Sequence, residues 1–169
     1  AGSAVRREAP KGTLLHNGSA DCVGLFVVLD GVLRVFAQSE GGKEITLYRL
    51  LERDICLFSA ACILSSVQFD MQVQAETDTN FLVIPAPVYK TLMHESLPVA
   101  NFTNQLMASR FTEVMWLLDQ ILSKSFDARL AAFLLEEAGV RQSMELPLTH
   151  EQIAGHLGTA REVVSRMLK

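Results

Sequence analysis

The chain has 169 residues, 49% of them hydrophobic, enough to bury the core of one ordinary domain or of one domain with a small appendage. Its formal net charge of −4 excludes a protein that holds nucleic acid by indiscriminate positive charge. No run of 18 apolar residues and no signal-like apolar start are present, so a cytoplasmic protein with no membrane partner is expected. The odd cysteine count, Cys22, Cys56 and Cys62, argues against a disulfide scaffold.

In chain order, residues up to about Ala86 read as short strands. Gly24 to Leu29 and Val32 to Gln38 flank Asp30-Gly31, a hairpin turn signal. Glu40-Gly41-Gly42-Lys43 makes a second turn before Glu44 to Leu50. Phe69 to Glu76 alternates strictly, with Phe69, Met71, Val73 and Ala75 on one face, and Asn80 to Pro85 comes next. Short strands at regular spacing with polar turns indicate an antiparallel barrel or sandwich.

From about Pro98 the period becomes helical for some 25 residues. Met107, Phe111, Val114, Leu118 and Ile121 step by four and three, the seam of a coiled coil and the expected interface of a homodimer. Val99, Phe102 and Leu106 form a second row that can pack back on the barrel. Ser125 reads as the cap of a helix from Phe126 to Ala138, closed by Gly139. Its Phe126, Leu130, Phe133 and Leu134 would pack under the last two helices of the chain.

The last 21 residues read as those two short helices, joined by a glycine turn. Each start carries a capping-box pattern, Thr149 with Gln152 and Thr159 with Glu162, in which a threonine side chain and a Gln or Glu three residues on satisfy each other's backbone N–H. Gly158 can end the first helix in the left-handed conformation, and Ala154 is small enough for the second helix to cross close by. Ile153, Leu157, Val163 or Val164, and Met167 supply the apolar side. Arg161, Glu162, Ser165, Arg166 and Lys169 then form the exposed side of the second helix, with groups that can bond guanine, cytosine N4 and phosphate. Such a pair is a helix-turn-helix. From Phe126 to Lys169 there are five Lys/Arg against six Asp/Glu, so affinity for DNA has to come from local contacts and dimerisation.

The order barrel, long helix, short helix, helix-turn-helix resembles the Crp/Fnr family of bacterial transcription regulators over essentially the whole chain. The most specific stretches are Phe126 to Leu135 and Leu148 to Arg166; Leu29-Asp-Gly-Val-Leu-Arg-Val35 also resembles the glycine hairpin of that family's cyclic-nucleotide-binding-like barrel. The resemblance implies an α+β fold: an N-terminal antiparallel β-barrel of the double-stranded β-helix type over 1–97, a dimerisation helix over 98–124 and a winged helix-turn-helix over 125–169, its wing expected just after Lys169. It implies a sequence-specific, homodimeric DNA-binding regulator. The DNA-contacting set is Thr149, Thr159, Arg161, Glu162, Ser165, Arg166 and Lys169. Glu162, Ser165 and Arg166 match the Glu-x-x-Ser-Arg reading helix whose usual half-site resembles TTGAT, and Arg161 matches a contacting Arg of the cyclic-AMP branch. RNA polymerase is a further possible partner.

The sensor departs from the family pattern. Where cyclic-nucleotide binders carry a Gly-Glu and a downstream Arg, this chain has Asp54-Ile-Cys-Leu-Phe-Ser-Ala-Ala-Cys62, with no Arg between Asp54 and Met71, which disfavours a cyclic nucleotide. Three widely spaced cysteines disfavour the family's iron–sulfur cluster. The effector is expected to be a small apolar or weakly polar metabolite touching Asp54, Ile55, Cys56, Leu57, Phe58, Ser59, Cys62, Met107 and Phe111. A Cys56/Cys62 redox pair and haem held by Cys56 or Met71 stay open; His16 and His94 read as surface residues. No metal or nucleophile motif supports an enzyme such as a cupin. The rival reading is a cyclic-nucleotide-type sensor without DNA binding, against which the capping boxes and Arg161/Arg166 speak.

Overall fold

Short strands with apolar inner faces make the first half a two-sheet structure whose inner faces meet. The computed structural model describes residues 4–18, 23–57, 59 and 70–169. Among the described residues eight strands are formed: β1 (Val5–Ala9), β2 (Leu14–Asn17), β3 (Leu25–Asp30), β4 (Leu33–Gln38), β5 (Glu44–Leu50), β6 (Ile55–Cys56), β7 (Met71–Ala75) and β8 (Thr79–Ile84). One sheet has the order β1-β8-β3-β6 and the other β2-β7-β4-β5. The antiparallel pairs β1/β8, β2/β7, β3/β6 and β4/β5 are nested, the path of a jelly roll or double-stranded β-helix. The expected barrel class is therefore present. Phe26, Val28 and Phe81 from one sheet face Leu33, Val35, Tyr48, Leu50, Met71, Val73 and Ala75 from the other, with the Phe26 and Phe81 rings edge to face at 5.1 Å.

Asp30-Gly31 does not make the expected hairpin. β3 and β4 lie in different sheets, and Gly31 (φ +90°) turns the corner between them; a Cβ there would stand 2.5 Å from the Asp78 carbonyl oxygen. Val32 N–H donating to Thr77 Oγ1 and Glu76 N–H donating to Val32 O fasten that corner. The Glu40–Lys43 turn does join a paired β4 and β5, closed by Ser39 N–H to Lys43 O at 2.8 Å. Phe69, Phe58 and Cys62 lie outside the described residues.

A helix that the sequence pattern does not predict, α1 (Ala86–Glu95), comes after β8. Pro85 precedes it and Pro87 stands in its first turn, where a missing N–H costs nothing. Helix α2 (Leu97–Ser123) is 27 residues long, about 40 Å. Its Val99, Leu106 and Met107 join Leu25, Leu57, Tyr89 and Met93 in a satellite core. Phe102 is left about half exposed; the buried position beside that core is Thr103, whose Oγ1 lies 2.7 Å from the Tyr89 hydroxyl.

Helix α3 (Phe126–Arg141) begins where Ser125 suggested, although Ser125 makes no side-chain cap bond. It runs past Gly139 and ends at Gln142, which takes the left-handed conformation (φ 50°). Arg141 bonds back to Glu137 at 3.0 Å, an i,i+4 pair that holds the last turn together. Helices α4 (His150–Leu157) and α5 (Arg161–Met167) complete the chain. No helix among the described residues is long and apolar enough to cross a membrane.

Candidate functional site

The head is built on a small apolar core. Leu130 and Phe133 of α3, Ile153 and Ala154 of α4 and Val164 of α5 are buried together, with Phe126, Leu134, Leu148 and Leu157 around them. Thr149 caps α4 as expected: its Oγ1 accepts from Gln152 N–H at 3.2 Å, and Gln152 Oε1 accepts from Thr149 N–H at 2.8 Å. Gly158 ends α4 in the left-handed conformation (φ +70°). The second capping box is not formed. α5 starts one residue later than expected, with Ala160 at the cap position and no side-chain cap, because Thr159 is used in the turn that closes α4, its N–H donating to Ala154 O.

Val164, fully buried, sets the rotation of α5. Arg161, Glu162 and Arg166 are then exposed, as is Lys169 beyond the helix end, and among the described residues no ion pair engages them. Ser165 is half-buried, its Oγ 2.8 Å from His150 Nδ1. Met167, expected on the apolar side, is about half exposed. The two helices thus present a row of arginine, glutamate and lysine groups of the kind that reads base edges in a major groove.

The head also lies against its own barrel, an arrangement the sequence did not reveal. β5 is the edge strand of its sheet, and Ile45 of β5 forms an isolated antiparallel bridge with Leu157 of α4. This covers backbone groups that an open edge would leave unpaired. A Cβ on Gly158 would meet Ile45 Cδ1 at 2.9 Å, so close approach needs glycine there.

Polar groups fill the same seam. Arg34, stacked 4.4 Å over the Phe36 ring, donates to Thr46 Oγ1 at 2.7 Å, to Glu44 at 2.7 Å and to Gly155 O at 2.9 Å. Arg49 is bound by Glu76 at 2.8 Å and by Glu137 of α3, whose carboxylate is almost wholly buried and also holds Arg141. His156 stacks on Phe133 and stands 2.8 Å from Thr46 Oγ1. Burial first, then Arg49, Arg34 and Arg141, push the His156 ring from its ordinary 6.5 down to about 3. Arg49 can only donate, and its Nη2 stands 3.4 Å from Nε2, so in the neutral ring Nε2 is bare and Nδ1–H donates to Thr46 Oγ1, which also accepts from Arg34. The available signal was Glu137 itself, a carboxylate on the Leu130/Phe133/Leu134 face of α3.

At the other end of the barrel, Ile55, Leu57 and Met107 meet in the satellite core, while Cys56 is buried in the main core. Ser59 Oγ donates to Cys56 O at 3.0 Å. Asp54 meets Arg110 of α2, a residue that sequence reasoning missed, at 3.5 Å. Arg110 also binds Glu113 at 2.8 Å and stacks 4.8 Å over the Tyr48 ring. Burial, then Cys56, raises the Tyr48 phenol well above its ordinary value, against the opposing pull of Arg110. Phe111 is 67% exposed and points away from this cluster. His94 is exposed as expected, but His16 is buried in the barrel, 2% exposed, because it occupies the inward position of β2.

On α2, Phe111, Met115, Leu118 and Leu122 are exposed at spacings of four, three and four. Met107 and Val114 are partly buried on the side turned toward the barrel, and Ile121 is exposed beside the row.

Comparison with known proteins agrees with this geometry. Residues 6–96 match the cyclic nucleotide-binding domain family and residues 128–169 the Crp-like helix-turn-helix domain family. A crystal structure of a transcriptional regulator of the Crp/Fnr family from Eubacterium rectale is 53% identical, covers 98% of this chain and 76% of that one, and superposes with a TM-score of 0.96. The cyclic AMP receptor protein of Thermus thermophilus is 28% identical over 96% of this chain and 74% of its own length. The global nitrogen regulator of Synechococcus elongatus is 24% identical over 85% of this chain and 68% of its own. A nested eight-strand barrel, a long helix and a helix-turn-helix, matched along their length, identify the chain as a member of the Crp/Fnr family of DNA-binding transcription regulators.

Proposed function

We propose that the chain works as a homodimer that reads a palindromic DNA site through α5, with α2 as the pairing helix and the barrel as the effector sensor. The working division is residues 1–97, 98–124 and 125–169. The observation that carries the DNA reading is the exposed row Arg161, Glu162 and Arg166, held in place by the buried Val164. Arg166 and Arg161 would take guanine edges or phosphate, Glu162 a cytosine amino group, and Lys169 a phosphate. Thr149 stands at the start of α4, the helix that crosses the DNA backbone in this motif. Half-sites resembling TTGAT are expected from the Glu162-x-x-Ser165-Arg166 pattern.

Pairing through α2 is supported by the exposed 3.5-residue row, which keeps Phe111 and Leu118 of the expected seam and adds Met115 and Leu122. Met107, Val114 and Ile121 then flank the contact rather than centre it.

For the effector, the apolar surroundings of Ile55, Leu57 and Met107 favour a small apolar or weakly polar molecule. The buried Arg110 guanidinium is already engaged by Asp54 and Glu113, a poor setting for a cyclic phosphate. Native mass spectrometry of the purified protein, with its absorbance spectrum, tests the sensor: an adduct mass names the effector class, and a Soret band would replace this reading by haem. Binding of the protein to a selected palindrome at fixed ionic strength tests the head, with unselective binding as the contrary result.

A further inference from the structure

Among the described residues, Ser165 is the polar group of the reading face on α5 that is tied to a side-chain partner. Its Oγ lies 2.8 Å from Nδ1 of His150, the first residue of α4, and both residues are half-buried. The bond joins the two helices of the motif, and the Thr149 capping box fixes the backbone turn on which His150 stands.

A free serine hydroxyl has one proton and two lone pairs. It can accept from adenine N6 or cytosine N4 as readily as it donates to thymine O4 or guanine O6, so alone it reads little. A neutral imidazole has one protonated nitrogen and one bare one. A bare Nδ1 accepts a hydrogen bond from the serine O–H, and Oγ then meets the groove as an acceptor only; a protonated Nδ1 reverses the roles. The first helix of a helix-turn-helix crosses the DNA backbone, and a phosphate met by the other ring nitrogen needs a proton on Nε2. In a neutral ring that leaves Nδ1 bare.

We propose that His150 is the positioning residue that fixes the polarity of Ser165: Nδ1 accepts a hydrogen bond from the hydroxyl, and Ser165 then reads a base-edge donor, the exocyclic amino group of adenine or cytosine. The assignment rests on the reading of α5 as the DNA-contacting helix. It makes a residue outside the reading helix a determinant of base choice.

Two measurements test it separately. Nitrogen-15 NMR of the histidine ring, on the protein alone and bound to its selected duplex, is expected to show Nδ1 without a proton and Nε2 with one. A selective protein whose Nδ1 carries the proton overturns the polarity assignment and leaves the DNA-reading role standing. Competition binding then compares duplexes altered at the base pair whose preference Ser165→Ala changes. Wild type is expected to favour adenine or cytosine there by about tenfold or more. His150→Leu should bring that preference within about twofold while the positions read by Arg166 keep theirs. His150→Asn, whose side-chain oxygen can accept a hydrogen bond from the hydroxyl, should restore it, and His150→Leu combined with Ser165→Ala should lose no more base preference at that pair than Ser165→Ala alone. An equal loss on every duplex in His150→Leu, with base preference intact, would make His150 a phosphate contact and nothing more. Wild type without preference at any position would overturn the DNA-reading role and this proposal together.

Discussion

Acidification should loosen the head from the barrel, and His156 sets how much. The ring is stacked on Phe133, bonded to Thr46 and faced by Arg49 at 3.4 Å; Glu76, at 3.9 Å, is the nearest carboxylate. Its pKa falls from 6.5 to about 3 in place, chiefly through burial and then through three arginines. A released or unfolded histidine binds a proton below pH 6.5, whereas the docked ring does so only near pH 3. Across that window the docked state holds fewer protons, so its stability is complete above 6.5 and is lost as pH falls. At about 1.4 kcal/mol per pH unit, a fall from pH 7.5 to 5 removes about 2 kcal/mol. Chemical denaturation at pH 7.5, 6.5 and 5.0, on wild type and on His156→Gln, reads this directly. Wild type should lose about 2 kcal/mol more than the variant over that range, because glutamine has no proton to take up. Equal pH slopes in the two proteins would refute the claim that a neutral, arginine-faced His156 is a condition of docking.

Removing either partner of the Arg49–Glu137 pair should be costly, since the other charge stays in a largely buried seam. Arg49→Met and Glu137→Gln are each expected to cost about 1–3 kcal/mol in urea denaturation, because Arg141 still holds Glu137 and Glu76 still holds Arg49, against less than about 0.5 kcal/mol for an exposed pair member such as Glu52→Gln. Arg166→Ala should cost about 1–3 kcal/mol on a selected site and much less on random duplex, measured by fluorescence anisotropy at one salt concentration. Thr149→Ala should lower stability by about 0.5–2 kcal/mol through its lost cap, and Thr159→Ala, which caps nothing, by less than about 0.5 kcal/mol. Met115→Glu with Leu118→Glu should turn a dimer into a monomer in sedimentation velocity, with the barrel and head still folded.

Local patterns were legible where local forces decide. Met71, Val73 and Ala75 alternate and line the core, Gly41-Gly42 joins a real hairpin, and Thr149 with Gln152 starts α4. What stayed hidden depends on distant chain. Asp30-Gly31 has hairpin chemistry, yet the nested strand pairing sends β4 to the opposite sheet. α1 sits among prolines, and its single deeply buried aromatic, Tyr89, finds its partner Thr103 only when α2 is laid beside it. Arg49 and Glu137 are 88 residues apart, and no spacing rule links a strand arginine to a helix glutamate. The same holds for Arg34, which reaches Gly155, and for Arg110, which reaches Asp54 and Tyr48. On α2 the exposed apolar row keeps a four-and-three spacing but is turned toward Met115 and Leu122, because Met107 and Arg110 pack on the barrel.

Selection of duplexes from a random pool by the protein, and then binding of the recovered sequence to wild type and to Arg166→Ala, tests the central claim most directly. An inverted repeat of TTGAT-like half-sites about one helical turn apart, bound by two chains and weakened by Arg166→Ala, is the predicted result. Recovery of no common sequence, or equal binding by wild type and variant, would contradict the account of α5 as the helix that reads DNA.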